Sequence, residues 1–323
     1  MTGILTTLVG SFPLEPIRDN FLRAFHDQVE IGIDYPVLPQ LRDFVEMYLE
    51  PLVEQGVLSR DERGFTLSGS FEDAEPVVPW EYPLVVDVAK EMGIPYRLAL
   101  TGPFTVASNI ALVGKRPGDI FGSVLTDREK FEKLLQFIQR LAHILSREVK
   151  PSMVCVDEPI LSVIVGAKRI LFGYTTGYIR ESLDSVLAGF SGSELVGVHV
   201  CSRLPTLLKD VLLNLRYANF LDHEHHDVSE NIDFYTREDL VASRKVLSFG
   251  IISSKKLVVE SFDEAYSLAR LARERYGDRL WFIKPDCGFR GLYGVRGGKE
   301  YEEIVLPKLR ILVSVAEKLR EEK

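Results

Sequence analysis

The stretch VGVHVCS, residues 196–202, ends an apolar alternation on a histidine and a cysteine two places apart. Residues i and i+2 of a strand project to the same side, so His199 and Cys201 can reach one point. Imidazole and thiolate suit zinc, and a carboxylate can complete a tetrahedral shell. Cysteine is scarce here, three residues in 323, beside six histidines. A second cysteine, Cys287, closes another apolar run, LWFIKPDC, and DHEHHD at 222–227 follows a third. Within that last cluster His223 and Glu224 compete for the remaining ligand place. If the strand runs to 224, Glu224 shares a side with Asp222, and spacing alone does not choose. His225 and His226 read as solvated loop residues. Cys155, inside MVCVDE, reads as a small buried hydrophobe. The CxxC spacing of a structural zinc finger is absent.

A scaffold must deliver these residues to one place. Short apolar runs alternate with helical patterns, which predicts a parallel α/β fold. Eight candidate strands lie at 4–11, 32–38, 96–102, 153–158, 195–201, 219–224, 248–254 and 280–287, the second with the weakest pattern. Between them, residues 126–149 open on a Thr126–Glu129 capping box. That segment sets Phe131, Leu134, Leu135, Ile138, Leu141 and Leu145 on one helical face. Pro307 interrupts the last helical pattern and predicts a kink or restart. Eight strands with intervening helices predict one domain over 1–323, a single (β/α)8 TIM barrel. Residues 56–80 predict a hairpin or extended insertion in the second βα connection. A Rossmann fold would want GxGxxG after its first strand, and VGSFPLEP is not that.

Active sites of such barrels lie at the C-terminal ends of the strands. The first strand ends in Gly10-Ser11, the third in Thr101-Gly102, the fourth in Asp157-Glu158-Pro159 and the fifth in His199-x-Cys201. The sixth ends in 223–227, the seventh in Ser253-Ser254-Lys255 and the eighth in Asp286-Cys287-Gly288. Two of the three cysteines therefore fall on one rim with a histidine and a carboxylate-rich cluster.

Composition narrows the function classes. A net charge of −8 argues against a nucleic-acid or anionic-membrane surface. No run approaches 18 uncharged apolar residues, so no membrane span is expected. MTGILTTLVGSFP has neither a basic region nor a small-residue cleavage site, and no secretory signal is expected. An odd number of widely spaced cysteines is not a disulfide framework, and a cytoplasmic protein is expected.

The motifs resemble the catalytic barrel of the cobalamin-independent methionine synthase family. LTTLVGSFP is similar to that family's first-strand motif, LTGPFT (100–105) to its third and VDEP (156–159) to its fourth. HVC (199–201), LDHE (221–224) and KPDCG (284–288) resemble the three zinc-ligand segments. The matches run in order across nearly the whole chain, as in the short, single-barrel forms. The resemblance implies Zn2+ held by His199, Cys201, Glu224 and Cys287, and it chooses Glu224 over His223. It further implies that Gly10, Ser11 and Asp157 hold the amino-acid end of L-homocysteine, with Asp157 facing the ammonium. Glu158 and Thr101 are further substrate candidates from the same strand ends.

The chain departs from that pattern in three places. No acidic residue precedes Arg42-Asp43 in YPVLPQLRDFVEMYL, which makes Gln40 the candidate replacement for a homocysteine contact. The segment carrying a proposed acid in the family reads ISSKK, with Lys255 at the histidine position, so Lys255 joins Asp157 as a candidate catalytic residue. The only tryptophans, Trp80 and Trp281, lie outside the segment that stacks the pterin in the long enzymes. These departures bear on the methyl donor, which is expected to be a methylated pterin or folate, or a methylcorrinoid, alone or on a partner protein. The competing readings are a zinc methyltransferase for another thiol, such as coenzyme M, and a non-catalytic barrel that binds a methyl carrier.

Overall fold

The computed structural model describes residues 3–322. Its strands are β1 (Leu5–Thr6), β2 (Leu58–Asp61), β3 (Gly64–Leu67), β4 (Arg97–Thr101), β5 (Ile110–Ala111), β6 (Met153–Asp157), β7 (Leu195–Val200), β8 (Phe220–His223), β9 (Val246–Ile252) and β10 (Leu280–Pro285). Its α-helices are α1 (Arg18–Ile31), α2 (Glu46–Glu54), α3 (Glu81–Met92), α4 (Pro103–Ser108), α5 (Arg128–Glu148) and α6 (Leu161–Ile164). They continue with α7 (Thr176–Leu187), α8 (Thr206–Leu213), α9 (Arg237–Ala242), α10 (Phe262–Tyr276) and α11 (Leu306–Glu321).

Seven strands form one all-parallel sheet in the order β1-β10-β9-β8-β7-β6-β4. From β6 to β10, strands consecutive in the chain are neighbours in the sheet, each pair joined by a helical crossover, as parallel pairing requires. The segment expected as a second strand, 32–38, is not a ladder strand. Tyr35 bridges Thr7 and Val37 bridges Arg97, single contacts to the two edge strands. Pro36 and Pro39 have no N–H to give, which prevents a continuous ladder there. The first strand is likewise shorter than its apolar run, and beyond β1 only the bridges Thr7–Tyr35 and Ser11–Gln40 extend it.

Within 56–80 the chain forms an antiparallel hairpin of β2 and β3, with β5 added in parallel to β3. Helix α5 buries the six expected apolar residues, but it starts one position later than the Thr126 box predicts. Asp127 is the cap: its carboxylate accepts the N–H of Lys130, while the Thr126 hydroxyl donates to the Ser123 carbonyl. Pro307 does not stop the helix: a π-helical turn at Tyr301–Val305 runs directly into α11, and the proline sits in the first turn of α11, next to that change of hydrogen-bond pattern.

The main apolar core runs from Ile4 to Leu319. A second cluster, with Met153, Cys155, Leu195, Phe220, Val246 and Phe282, lies where the strands β6–β10 face one another. Gly197 makes that packing possible, since a Cβ there would come within 2.6 Å of the Phe220 ring. Cys155 is fully buried in this layer, and burial pushes its thiol pKa well up. Among the described residues no helix is long and apolar enough to cross a membrane.

Candidate metal centre and its cavity

Strand register sets the chemistry in a row. Thr101, Asp157, His199, Asp222 and Ser248 are successive partners across β4, β6, β7, β8 and β9. Partners in a parallel pair share a face, so a polar layer crosses the sheet near the strands' C-terminal ends.

Just beyond that layer His199, Cys201 and Cys287 converge. The His199 Nε2 lies 2.8 Å from Cys201 Sγ and 3.7 Å from Cys287 Sγ, and the two sulfurs are 3.2 Å apart. All three cysteines of the chain are free thiols. The other ring nitrogen, Nδ1, is 2.6 Å from Oδ1 of Asp222. An ionised carboxylate only accepts, so Nδ1 keeps its proton, and Nε2, which faces the sulfurs, is the nitrogen that offers a lone pair once the ring is neutral, as metal binding requires. Burial opposes charge on His199, but Asp222 outweighs it and pushes the imidazole up to about 10. The hydrogen bond from Cys201 holds Cys287 well below the ordinary thiol range, with His199 assisting, while Cys201 is held up.

The three side chains form one wall of a small cavity of about 80 Å³. Ser11, Gln40 and Asp157 also line it, Asp157 as the register partner of His199 on the adjacent strand, and Val9 and Phe44 supply apolar surface. The Oδ1 atom of Asp157 is buried with no hydrogen-bond partner. Burial pushes this carboxyl up to about 7, against the pull of His199 and Arg97. The cavity thus pairs a soft-ligand cluster with an unsatisfied carboxylate.

No family model matches the sequence. A methionine synthase of Methanothermobacter thermautotrophicus is 25% identical over 314 residues, covering 90% of this chain and 94% of the relative. One from Methanothermobacter marburgensis is 22% identical over 97% of this chain and 99% of its own length. The chain is similar to these methionine synthases over nearly its whole length. That likeness is consistent with an enzyme of the methyltransferase class. The fold agrees: a B12-independent methionine synthase from Shewanella sp. W3-18-1, solved with selenomethionine, superposes with a TM-score of 0.69 at 16% identity. That match covers 99% of this chain and 98% of the other. A methyltransferase from Methanosarcina mazei gives 0.63 at 15% identity, over 98% and 94% of the two chains.

The other expected residues take varied places. Glu224 follows β8 directly, is 1% exposed, and pairs through Oε2 with Lys255 Nζ at 2.7 Å. It stands outside the triangle of His199, Cys201 and Cys287. Gly10, in a left-handed conformation, packs against Gln40, and its carbonyl accepts the Gln40 N–H. Glu158 points away from the cavity: its carboxylate accepts the N–H groups of Phe104 and Thr105 and the Thr105 hydroxyl, capping α4. Burial nonetheless pushes it up to about 7. The Thr101 hydroxyl donates to the carbonyl of Phe44, tethering that cavity wall.

The histidine cluster differs from the solvated loop that its composition suggests. His225 is 1% exposed and stacks on Phe249 with ring centroids 3.8 Å apart. His223 is fully buried against Tyr235, and only His226 reaches solvent to any extent. Sequence reasoning missed Arg97, Asp222 and Lys284, three fully buried charged residues beneath the site. The available signal was the charge itself, set inside three runs that otherwise read as buried strand.

Proposed function

We propose that this chain is a zinc-dependent methyltransferase that moves a methyl group onto the thiol of L-homocysteine, forming methionine. The observation that carries the reading is one cavity lined both by His199, Cys201 and Cys287 and by Asp157, whose buried carboxylate has an unpartnered oxygen. The donor set fits zinc: two thiols and an imidazole, with the far ring nitrogen already committed to a carboxylate. His199, Cys201 and Cys287 would hold the ion, with Glu224 as the fourth ligand. When bound, zinc supplies a substrate thiolate at neutral pH, where a free thiol is largely protonated.

The chain's own residues orient the acceptor. Asp157 takes its ammonium, Gly10 and Ser11 face its carboxylate, and the Gln40 amide completes the amino-acid pocket. Glu158 and Thr101 act from behind, by holding α4 and Phe44. The substrate sulfur forms the new S–CH3 bond after its proton has left, and the donor keeps the electron pair of the bond that breaks. The donor is a methylated pterin or folate, or a methylcorrinoid, free or presented by a partner protein. The architecture is a single-domain barrel in which the segment 32–38 stands in the remaining strand place and the β2–β3 hairpin is an insertion. Three free cysteines suit the reducing conditions of the cytoplasm.

Zinc K-edge EXAFS with and without L-homocysteine tests this. A shell of two sulfurs that gains about one on addition supports the reading. Tightly bound zinc with an unchanged shell moves the acceptor to another thiol, and failure to bind zinc overturns the proposal.

A further inference from the structure

The layer beneath the thiol pair contains a buried charge cluster. Arg97 Nη1 and Lys284 Nζ each lie 2.9 Å from a carboxylate oxygen of Asp222, and all three side chains are 0% exposed. Buried ion clusters contribute little net stability relative to apolar packing of the same volume, so a packing role does not account for this one. Its connections do. Asp222 Oδ1 is also the atom that receives Nδ1–H of His199 at 2.6 Å. In the opposite tautomer the ring would aim a proton, not a lone pair, at the two sulfurs. Lys284 reaches further, donating to the carbonyls of His223, Pro285 and Asp286 at 3.1, 3.0 and 2.8 Å. His223 and Asp286 immediately precede Glu224 and Cys287. One ammonium thus ties together the ends of β8 and β10, while Asp222 ties them to β7 through His199 and to β4 through Arg97.

We infer that Asp222 is a positioning residue that fixes His199 in the Nδ1–H tautomer with Nε2 toward Cys201 and Cys287, and that Lys284 locks the strand ends carrying Glu224 and Cys287 into the same frame. The inference rests on the zinc reading above and deepens it. Removing a carboxylate that orients a metal-bound histidine lowers metal affinity by roughly 10–100-fold, and an asparagine in its place can donate to the ring and select the wrong tautomer.

The test uses the full chain, zinc alone as the probe, and the variants Asp222→Asn and Asp222→Asn/Lys284→Met. The double variant removes one charge of each sign, leaves the net buried charge unchanged, and serves if the single variant does not fold. Folding is checked by far-UV circular dichroism and thermal melting. Zinc affinity is measured by competition with a chromophoric chelator. Ring 15N NMR of histidine-labelled protein, with His199 assigned by His199→Gln, reports the tautomer. The expected result in folded protein is a zinc affinity lower by about 10–100-fold, together with loss of the pure Nδ1–H signature that His199 shows in the zinc-loaded wild type. A folded variant that binds zinc within about twofold of wild type and keeps that signature overturns the inference. If wild type itself binds no zinc, the metal reading has failed instead, and the tautomer assignment stands or falls on the NMR alone.

Discussion

Lys255 and Glu224 form an ion pair of unequal partners: Nζ and Oε2 are 2.7 Å apart, the lysine side chain is 58% exposed and the carboxylate 1%. The lysine therefore reaches inward from solvent to neutralise a carboxylate that burial would otherwise penalise. It also brings a positive charge toward Cys201 and Cys287, both of which act on it electrostatically. A cation entering the triangle of His199, Cys201 and Cys287 meets that charge as repulsion and competes with it for Glu224.

Lys255→Met should accordingly tighten zinc binding, by up to about fivefold, the scale of an exposed ion pair. Chelator competition on wild type and variant measures it. Weaker binding in the variant would reverse the assignment and make Lys255 the residue that holds Glu224 in place for the metal.

Asp157 should impose a pH dependence on recognition of the amino-acid end. Burial raises its folded pKa to about 7, so the free site loses its negative charge as pH falls through that value. An ammonium ligand needs the ionised form, so the dissociation constant for L-methionine, which carries the same amino-acid end, should rise between pH 8 and pH 6. Asp157→Asn should weaken binding by about tenfold or more, the scale of a hydrogen bond to a charged group, and flatten the profile. Calorimetric titrations at three pH values decide, and a variant with the wild-type profile would remove Asp157 from the ammonium site.

The legible and illegible parts of this molecule divide on physical grounds. Strands β4 and β6–β10 were readable because burial on both faces makes each a continuous apolar run, and their ends located His199, Cys201 and Cys287. The segment 32–38 carries an apolar run too, but Pro36 and Pro39 break the ladder in a way that hydrophobicity does not register. Glu158 sits beside Asp157 in the chain and yet serves α4, because adjacent strand residues face opposite ways. His225 looked polar and proved stacked on Phe249, a contact between the loop after β8 and strand β9 that no local pattern encodes. Arg97, Asp222 and Lys284 escaped for a similar reason: each looks like a lone defect in its own strand, and only register across β4, β8 and β10 makes them one cluster.

Lys245 offers a stability test far from the site. It is 2% exposed, and its ammonium donates to the carbonyls of Leu215 and Ala218 at 2.7 and 2.8 Å. Burial lowers its folded pKa to about 8 from 10.5. Between those values the unfolded chain binds more protons, so this residue's contribution to stability rises with pH across the window. The stability difference between wild type and Lys245→Met, from urea melts at pH 7.5 to 10, should therefore increase with pH. Loss of the two carbonyl contacts is independent of pH and drops out of the slope. A flat or falling difference would mean that the amine is not held down by burial.

Gly250 connects packing to the metal site. A Cβ at this position would lie 2.0 Å from Oδ1 of Asp286. That oxygen accepts the N–H groups of His225 and His226 at 2.9 and 3.0 Å, and Oδ2 accepts that of Asp227 at 2.6 Å. Gly250→Ala must displace the carboxylate, strip three buried N–H groups of their acceptor, and shift Cys287, the next residue in the chain. Destabilisation of about 1–3 kcal/mol is expected from overpacking alone, accompanied by weaker zinc binding in the protein that remains folded. Gly93→Ala is the control: it strains a left-handed position at the end of α3 with nothing within 4 Å of the added carbon. It should lower the melting temperature while leaving zinc affinity unchanged. Equal zinc affinity in the two variants would show that Asp286 does not set the position of Cys287.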